Sequence, residues 1–343
     1  MIYDFVVVGS GPGGSVFAAT AAARGARVLV VEEGPAVAAG EVAPYTRAQM
    51  RRQYRNQGLT VALGRPSMAY TEARCVGGGS EVNSGLYHAP SAELLDRWRI
   101  SHRIEGLDHE GLAEHVSAVE RRLQLTETPH PSDPLPDGAA KLGWHGLPVP
   151  RWVGPGEGRR SMSSTYLSEA LRDGAQLRAE ARVDRLAVER GRVRGVRIGA
   201  ETVRADRVVV AAGAIGSPAL LQRSGLGHGT ARRGRFANRP IGSGLSMHPT
   251  VKAVASFAEE VNLPGEVSPY QIKQWGDRLS LGHSASRPGL LGIALADNDP
   301  ELAARAVTQW PHLGVWYAAI RSQGTGWVRS VPGTADPLVG YRI

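Results

Sequence analysis

The stretch "VVVGSGPGGSVFAATAAARGARVLVVEEG", residues 6–34, constrains this chain more than any other. A β-branched apolar run over residues 2–8 reads as a strand buried on both faces. It stops at Gly9-Ser10-Gly11-Pro12-Gly13-Gly14, and the small, alanine-rich residues 13–24 read as a helix able to approach a sheet closely. Gly25 ends that helix, and residues 27–31 read as a second buried strand. Within a strand–helix–strand unit the glycines of G-x-G-x-x-G act separately. Gly9 makes the tight turn, Gly11 lets backbone approach a pyrophosphate, and Gly14 lets helix and strand touch. The helix start supplies free N–H groups and a positive dipole end for the anion. Glu32, closing the second strand, can accept hydrogen bonds from both hydroxyls of a ribose and would repel a 2′-phosphate. Glu33 is expected on the opposite face, in solvent. A bound dinucleotide is the expectation.

Other functions are argued against by composition. The net charge is +8, from 40 basic and 32 acidic residues. Lys141, Lys252 and Lys273 are the only lysines, and the arginines are dispersed, with no run longer than pairs such as Arg51-Arg52 or Arg232-Arg233. That pattern reads as a solvated surface, and a nucleic-acid partner is not expected. Cys75 is the only cysteine, so neither an internal disulfide nor a cysteine metal cluster can form. No apolar run reaches the ~18 residues of a membrane span, and with Asp4 where a signal peptide would be basic, a cytoplasmic location is expected.

Further along, residues 71–88, "TEARCVGGGSEVNSGLYH", form a second glycine-rich turn. Ser91 should cap a helix running through Trp98, and a second helix over 109–123 carries Leu112, Val116, Val119 and Leu123 on one face. Proline and glycine dominate 128–158, a loop; Ser163 or Ser164 should cap a helix ending at Asp173-Gly174. Residues 176–210 alternate as a β-meander turning at Arg190-Gly191, followed by a buried strand over 207–211. Short candidate strands follow at 251–257, 315–320 and 326–330.

The far end of this domain distinguishes FAD from NAD. A buried strand after a β-meander, followed by the Gly213 turn in "VVVAAGAIGSP", closes the FAD-type variant of the dinucleotide fold. Here the residues also resemble a known family. "GAIGSPALLQRSGLG" (213–227) matches one signature of the glucose–methanol–choline (GMC) oxidoreductases, and "GGGSEVNSGLY" (77–87) resembles their other flavin motif, G-G-x-S-x-x-N. "RSMSSTYLSEAL" and "RPIGSGLSMHP" are similar too, and the "GGGSxVN" form looks most like the long-chain alcohol oxidase and cholesterol-oxidase-like branch.

The resemblance implies an α/β fold: a glutathione-reductase-like, Rossmann-type FAD domain with a β-meander from residues 1–98 and 155–246, and a mainly antiparallel substrate domain from 99–154 and 247–343. It implies Ser10, Gly11 and Pro12 against the pyrophosphate, with Ala212 and Gly213 backing it. Glu32 would hold the adenosine ribose and the Val183 backbone the adenine. Gly77, Gly78, Gly79 and Ser80, with Asn83, Ser84, Gly85 and Leu86, would wrap the flavin side. Some relatives attach FAD through a histidine just before that asparagine; Val82 stands there, so non-covalent FAD is implied.

The implied activity is hydride transfer from an alcohol CH–OH to the flavin, with oxygen or a quinone or cytochrome partner as electron acceptor. No segment resembles the family's catalytic H-P-x-G-T region or terminal N-P segment, so the resemblance implies that the last third of the protein lies beyond this chain. A flavin-binding remnant, one half of a split enzyme and an NAD-dependent dehydrogenase are the alternatives. His248 is read as structural, His283 as a solvated loop residue, and no catalytic residue is named. The closing "DPLVGYRI" reads as a strand of the substrate-domain sheet.

Overall fold

A computed structural model describes residues 2–127, 133–154, 158–226, 240–262, 267–276, 278–284, 287–296 and 299–343. Parts of the proline- and glycine-rich loop, and Arg232-Arg233, lie outside them. The chain forms two compact units, one of Met1–Val82, Met162–Thr250 and Ala319–Ile343, the other of Asn83–Ser161 and Val251–Ala318. The sequence reading divides the chain at 98, 154 and 246; the contacts divide it at 82, 161 and 250, and return Ala319–Ile343 to the first unit.

The first unit is built on a six-stranded sheet. Its strands are β1 (Tyr3–Val8), β2 (Val28–Val31), β3 (Gln176–Arg178), β4 (Arg185–Glu189), β5 (Arg192–Ile198) and β6 (Glu201–Val210), in the order β3-β2-β1-β6-β5-β4. β1 pairs in parallel with β2 and β6, and β2 in parallel with β3. Helix α1 (Pro12–Ala22) joins β1 to β2. Apolar runs without alternation suit strands covered on both faces: Val6, Val7 and Val30 are fully buried. Burial of each such side chain contributes ~1.5–3 kcal/mol. Val6, Val31, Leu186, Val196 and Leu220 share one core, so the meander and the parallel strands are packed together.

Two expectations change here. Gln176–Arg178 is not part of the meander. It runs parallel along β2, supplying the backbone partner that β2 needs on its outer edge, with the Glu32 N–H donating to the Arg178 carbonyl at 2.9 Å. The expected strand over 207–211 is not separate either. β6 is one strand of ten residues, antiparallel to β5 through Glu201–Arg204 and parallel to β1 from Ala205 to Val210. The hydrophobic pattern changes midway because the neighbours change, not because the strand ends.

A smaller sheet in this unit orders Ser243–Leu245, Thr325–Arg329 and Leu338–Arg342. "DPLVGYRI" therefore pairs here and not in the substrate-domain sheet, a correction to the sequence reading. The hairpin Thr60–Ala62/Met68–Tyr70 leans on its last strand through mutual bonds between Leu63 and Val339 or Tyr341, both 2.8 Å. The helix expected to start at Ser163 or Ser164 starts at Tyr166, with Thr165 at the N-cap position.

The second unit holds a five-stranded sheet ordered Thr250–Ser256, Leu313–Ile320, Leu279–His283, Tyr270–Ile272 and Gly146–Pro148. The pairings of Tyr270–Ile272 on both sides are antiparallel, as expected. Helices Pro288–Leu295 and Pro300–Thr308 contribute to a core of Leu291, Ala306, Trp310, Leu313 and Val315. Ser91 caps Ala92–His102, accepting from the Leu94 N–H at 3.2 Å. Helix His109–Leu123 keeps its expected bounds, though only Leu123 of its apolar stripe is fully buried.

Candidate dinucleotide-binding site

Two glycine turns meet at the carboxyl end of the parallel strands. α1 begins with Gly11 at its N-cap and Pro12 in its first turn, where proline's missing N–H costs no bond. A side chain at position 14 would place its Cβ 1.9 Å from the Gly9 carbonyl oxygen, so only glycine lets this helix sit so close to the strand end. Gly78, opening the short helical turn Gly78–Glu81, has φ +58° and would carry a Cβ 2.7 Å from the Gly11 Cα. The two turns are therefore in backbone contact, which a side chain at position 78 would prevent.

Ser10 ties them together. It is fully buried; its hydroxyl donates to Glu32 Oε2 at 2.8 Å and accepts from the Gly77 N–H at 3.0 Å. The Ser10 N–H also donates to Glu32 Oε2, at 3.0 Å, and the Gly34 N–H donates to Oε1 at 2.9 Å. Three donors thus fix the Glu32 carboxylate, which is 8% exposed. A carboxylate has about four acceptor sites, so one remains open, on Oε1. Ser80, also buried, donates to the Gly77 carbonyl at 2.7 Å and accepts from the Met162 N–H at 2.9 Å.

Above the turns lies a cavity of about 610 Å³, within the ~300–1,000 Å³ of small-molecule and cofactor clefts. Gly9, Gly11, Pro12 and Glu32 line one part of it, and Gly78, Gly79, Val183, Ala212 and Gly213 another. Helix α2 (Gly213–Arg223) starts at its wall, so two helix N-termini, of α1 and α2, reach this cavity. Side chains added at Gly13, Gly79 or Gly213 would meet no protein atom within 4 Å. These glycines keep the cavity open, and the fit to a diphosphate-containing ligand is good.

Of the other expected residues, Ser10, Gly14, Gly77 and Ser80 support the turns from behind and do not line the cavity. Asn83, Ser84, Gly85 and Leu86 belong to the second unit. There Asn83 Oδ1 accepts from the Gly85 N–H at 3.0 Å and from Arg159 Nη1 at 2.9 Å, while the Ser84 carbonyl accepts from Arg151 Nε at 3.2 Å.

The sequence reading missed an ionic wall. Glu33, placed in solvent by that reading, is instead half-buried against Arg55 at 3.0 Å and Arg74 at 3.3 Å. Arg55, only 14% exposed, also meets Glu72 at 3.1 Å and Asp336 at 2.7 Å. Glu33, Arg55, Glu72 and Arg74 all line the cavity. Burial disfavours ionisation of Glu33, but hydrogen bonds and charge from Arg55, with Arg74 and Arg182, win and hold it below the usual carboxylate range. Burial pushes Glu72 up, and Arg55 only partly offsets this against Glu33 and Asp336. Arg55 is raised: its loss of water opposes the charge, and three carboxylates outweigh that loss. No local signal marks these residues; Arg55 is one arginine among many and Asp336 lies 281 positions away.

Elsewhere, His283 is 2% exposed on a strand, with its Nδ1 accepting from the Ser268 N–H at 3.4 Å, so the reading as a solvated loop residue is corrected. His248 is exposed. Burial raises the Cys75 thiol, with Glu81 and Glu32 adding to it, which keeps it protonated and unreactive. Among the described residues no group of His, Cys, Asp and Glu could hold a metal ion, and no helix is long and apolar enough to cross a membrane.

Comparison with known proteins agrees with this geometry. Residues 50–250 match the family model for GMC oxidoreductase, and residues 7–64 match that for an NAD(P)-binding Rossmann-like domain. A GMC-type oxidoreductase of Sinorhizobium fredii is 32% identical over 369 residues, covering 99% of this chain and 70% of that protein. A long-chain-alcohol oxidase of Arabidopsis thaliana is 26% identical over 293 residues, covering 75% of this chain and 37% of its own length. The chain thus spans 37% to 70% of the length of these two relatives. The crystal structure of pyridoxine 4-oxidase from Mesorbium loti superposes with a TM-score of 0.69 at 19% identity, over 99% of this chain and 75% of that one, a likeness of fold. With more than half its residues inside the family model and a relative 32% identical across most of both chains, this chain belongs to the GMC oxidoreductase family.

Proposed function

We propose that this chain binds FAD without a covalent link and forms the cofactor-holding part of an enzyme that oxidises the CH–OH group of a small alcohol. The single observation that carries this is the contact of two glycine turns, Gly9–Gly14 and Gly77–Gly79, over one cavity shared with Glu32. The N–H groups of the first turns of α1 and α2 would hold the diphosphate. Glu32, its charge already fixed by Ser10 and Gly34, would accept from one ribose hydroxyl through the open site on Oε1. Its negative charge opposes a 2′-phosphate, which argues against NADP. The backbone of Val183 would meet the adenine, and Asn83, Ser84, Gly85 and Leu86 the flavin. When bound, FAD supplies the hydride acceptor at flavin N5. None of the described residues is assigned the role of proton acceptor. Oxygen and a quinone or cytochrome partner are both compatible electron acceptors.

Calorimetric titration of apoprotein with FAD tests the reading, followed by flavin bleaching with an alcohol panel in the longest natural form of the protein. Binding heat with FAD and none with NADH is expected. Heat with NADH alone would favour an NAD-dependent dehydrogenase, the reading to which the match over residues 7–64 lends weight.

A further inference from the structure

The cavity that should receive a dianionic diphosphate has carboxylates in its own wall: Glu32, Glu33 and Glu72. Glu32 keeps its charge, which three N–H and O–H donors stabilise without any cation. Glu33 and Glu72 depend on cations. Among the described residues Glu72 has one ion-pair partner, Arg55, at 3.1 Å, and the same guanidinium reaches Glu33 at 3.0 Å and Asp336 at 2.7 Å.

The other cations nearby are less able to offset these acids. Arg74 is 47% exposed, so solvent screens it. Arg223 donates to the carbonyls of Asp184 at 2.9 Å and Val183 at 3.3 Å, and Arg182 donates to the Ala335 carbonyl. Tyr70 is the remaining titratable neighbour of Glu72; burial, then the charge of Glu72, raises it to about 12, so it stays neutral.

We propose that Arg55 is the residue that makes this cavity receptive to a diphosphate, by offsetting part of the carboxylate charge of Glu33 and Glu72 that would otherwise repel it. The proposal rests on the dinucleotide reading above. Arg55 acts through the two glutamates and is a positioning residue, not a direct ligand. Local folding explains how it gets there. It lies before the hairpin Thr60–Ala62/Met68–Tyr70, Glu72 lies just after it, and Glu33 follows β2, so one short hairpin folds Arg55 back between both acids. The bridging bond from the Arg55 N–H to the Glu72 carbonyl, 2.8 Å, fixes that return.

A pH dependence of definite sign results. Without Arg55, Glu72 keeps its burial and its repulsion from Glu33 and Asp336 and loses the one group that favours its charge. Its carboxyl then becomes neutral in mild acid, and the repulsion of the diphosphate disappears as pH falls.

The test is calorimetric binding of ADP and FAD, with adenosine as the uncharged control, at pH 8 and pH 5.5. The proteins compared are the natural sequence, Arg55→Met, Glu72→Gln, Arg55→Met/Glu72→Gln and Asp336→Asn. Arg55→Met should weaken ADP and FAD at least tenfold at pH 8 and adenosine less than twofold. Most of the loss should return at pH 5.5 and in the double variant. Asp336→Asn, which loosens the 331–337 loop while leaving Glu72 paired, should change ADP binding less than threefold.

ADP binding unchanged in Arg55→Met, or lost equally with adenosine at both pH values, or lost as much in Asp336→Asn, overturns the proposal. Should Arg55→Met not fold, the double variant decides: ADP binding within threefold of Glu72→Gln sustains the proposal and a tenfold deficit overturns it. A natural sequence that binds ADP but not FAD would remove the flavin reading and leave this one standing.

Discussion

At the scale of single residues, glycines that look alike in the motif act differently. Gly14 is required by the protein's own backbone, since its Cβ would lie 1.9 Å from the Gly9 carbonyl oxygen. Gly13 is required, on our reading, by the ligand, because its Cβ would meet nothing within 4 Å. Gly14→Ala should therefore destabilise the apoprotein by ~1–3 kcal/mol, the usual cost of overpacking. Gly13→Val should leave the apoprotein's Tm unchanged and weaken FAD at least tenfold. Differential scanning calorimetry with and without FAD separates the two, and equal effects on Tm would remove the distinction. The spacing of Gly9, Gly11, Gly14 and Glu32 was legible because all four belong to one continuous strand–helix–strand unit. The orientation of Ser10 was not: pyrophosphate contact was expected, but its hydroxyl is turned inward to Glu32 and Gly77.

Among the elements, β1 is pinned to the entry of β2 by one carboxylate. Asp4 accepts from the Arg27 N–H at 2.8 Å and from its guanidinium at 2.9 Å. Side-chain and then backbone bonds from Arg27 hold the Asp4 carboxyl down at about 2, against 3.8 without them. A folded-state value below the unfolded one gives stability that is complete above about pH 4 and is lost as pH falls through 2. Asp4→Asn should flatten the fall of Tm between pH 5 and pH 2; an unaltered slope would show that this exposed pair contributes nothing. Inside the core, Leu220 of α2 is 1% exposed and packs with Val196 and Leu186 of the meander. Leu220→Ala should cost ~2–5 kcal/mol in urea unfolding. The existence of β1, α1, β2 and the meander was readable from hydrophobic pattern, whereas α2, the helices Pro288–Leu295 and Pro300–Thr308 and the hairpin Thr60–Ala62/Met68–Tyr70 were not anticipated. Pairing was less legible: Gln176–Arg178 joins Val28–Val31, far away in sequence, and nothing in the residues of Leu338–Arg342 says which sheet its hairpin with Thr325–Arg329 enters.

At the level of the whole molecule, the absence of a histidine at Val82 predicts that flavin leaves with the supernatant when the holoprotein is precipitated with acid. Flavin fluorescence retained in the washed pellet would refute this. Bound FAD should also raise Tm, since a ligand at about 100 times its Kd adds ~2.7 kcal/mol. The ionic wall stayed hidden from the sequence for a reason of scale: Glu33, Arg55, Glu72 and Asp336 are drawn from four places in the chain and meet only once both the hairpin and the last strand pair are in place. Strand β6 has a wider consequence for the molecule. Being antiparallel to β5 at one end and parallel to β1 at the other, it works like a shared rail on which two carriages are aligned. Slipping it by one residue at the Ile198–Glu201 turn would turn Val208 and Val210 to the wrong face and drag Gly213 off the mouth of the cavity. The meander is therefore no detachable ornament, and domain grafts that swap it should lose cofactor even when every motif residue is retained.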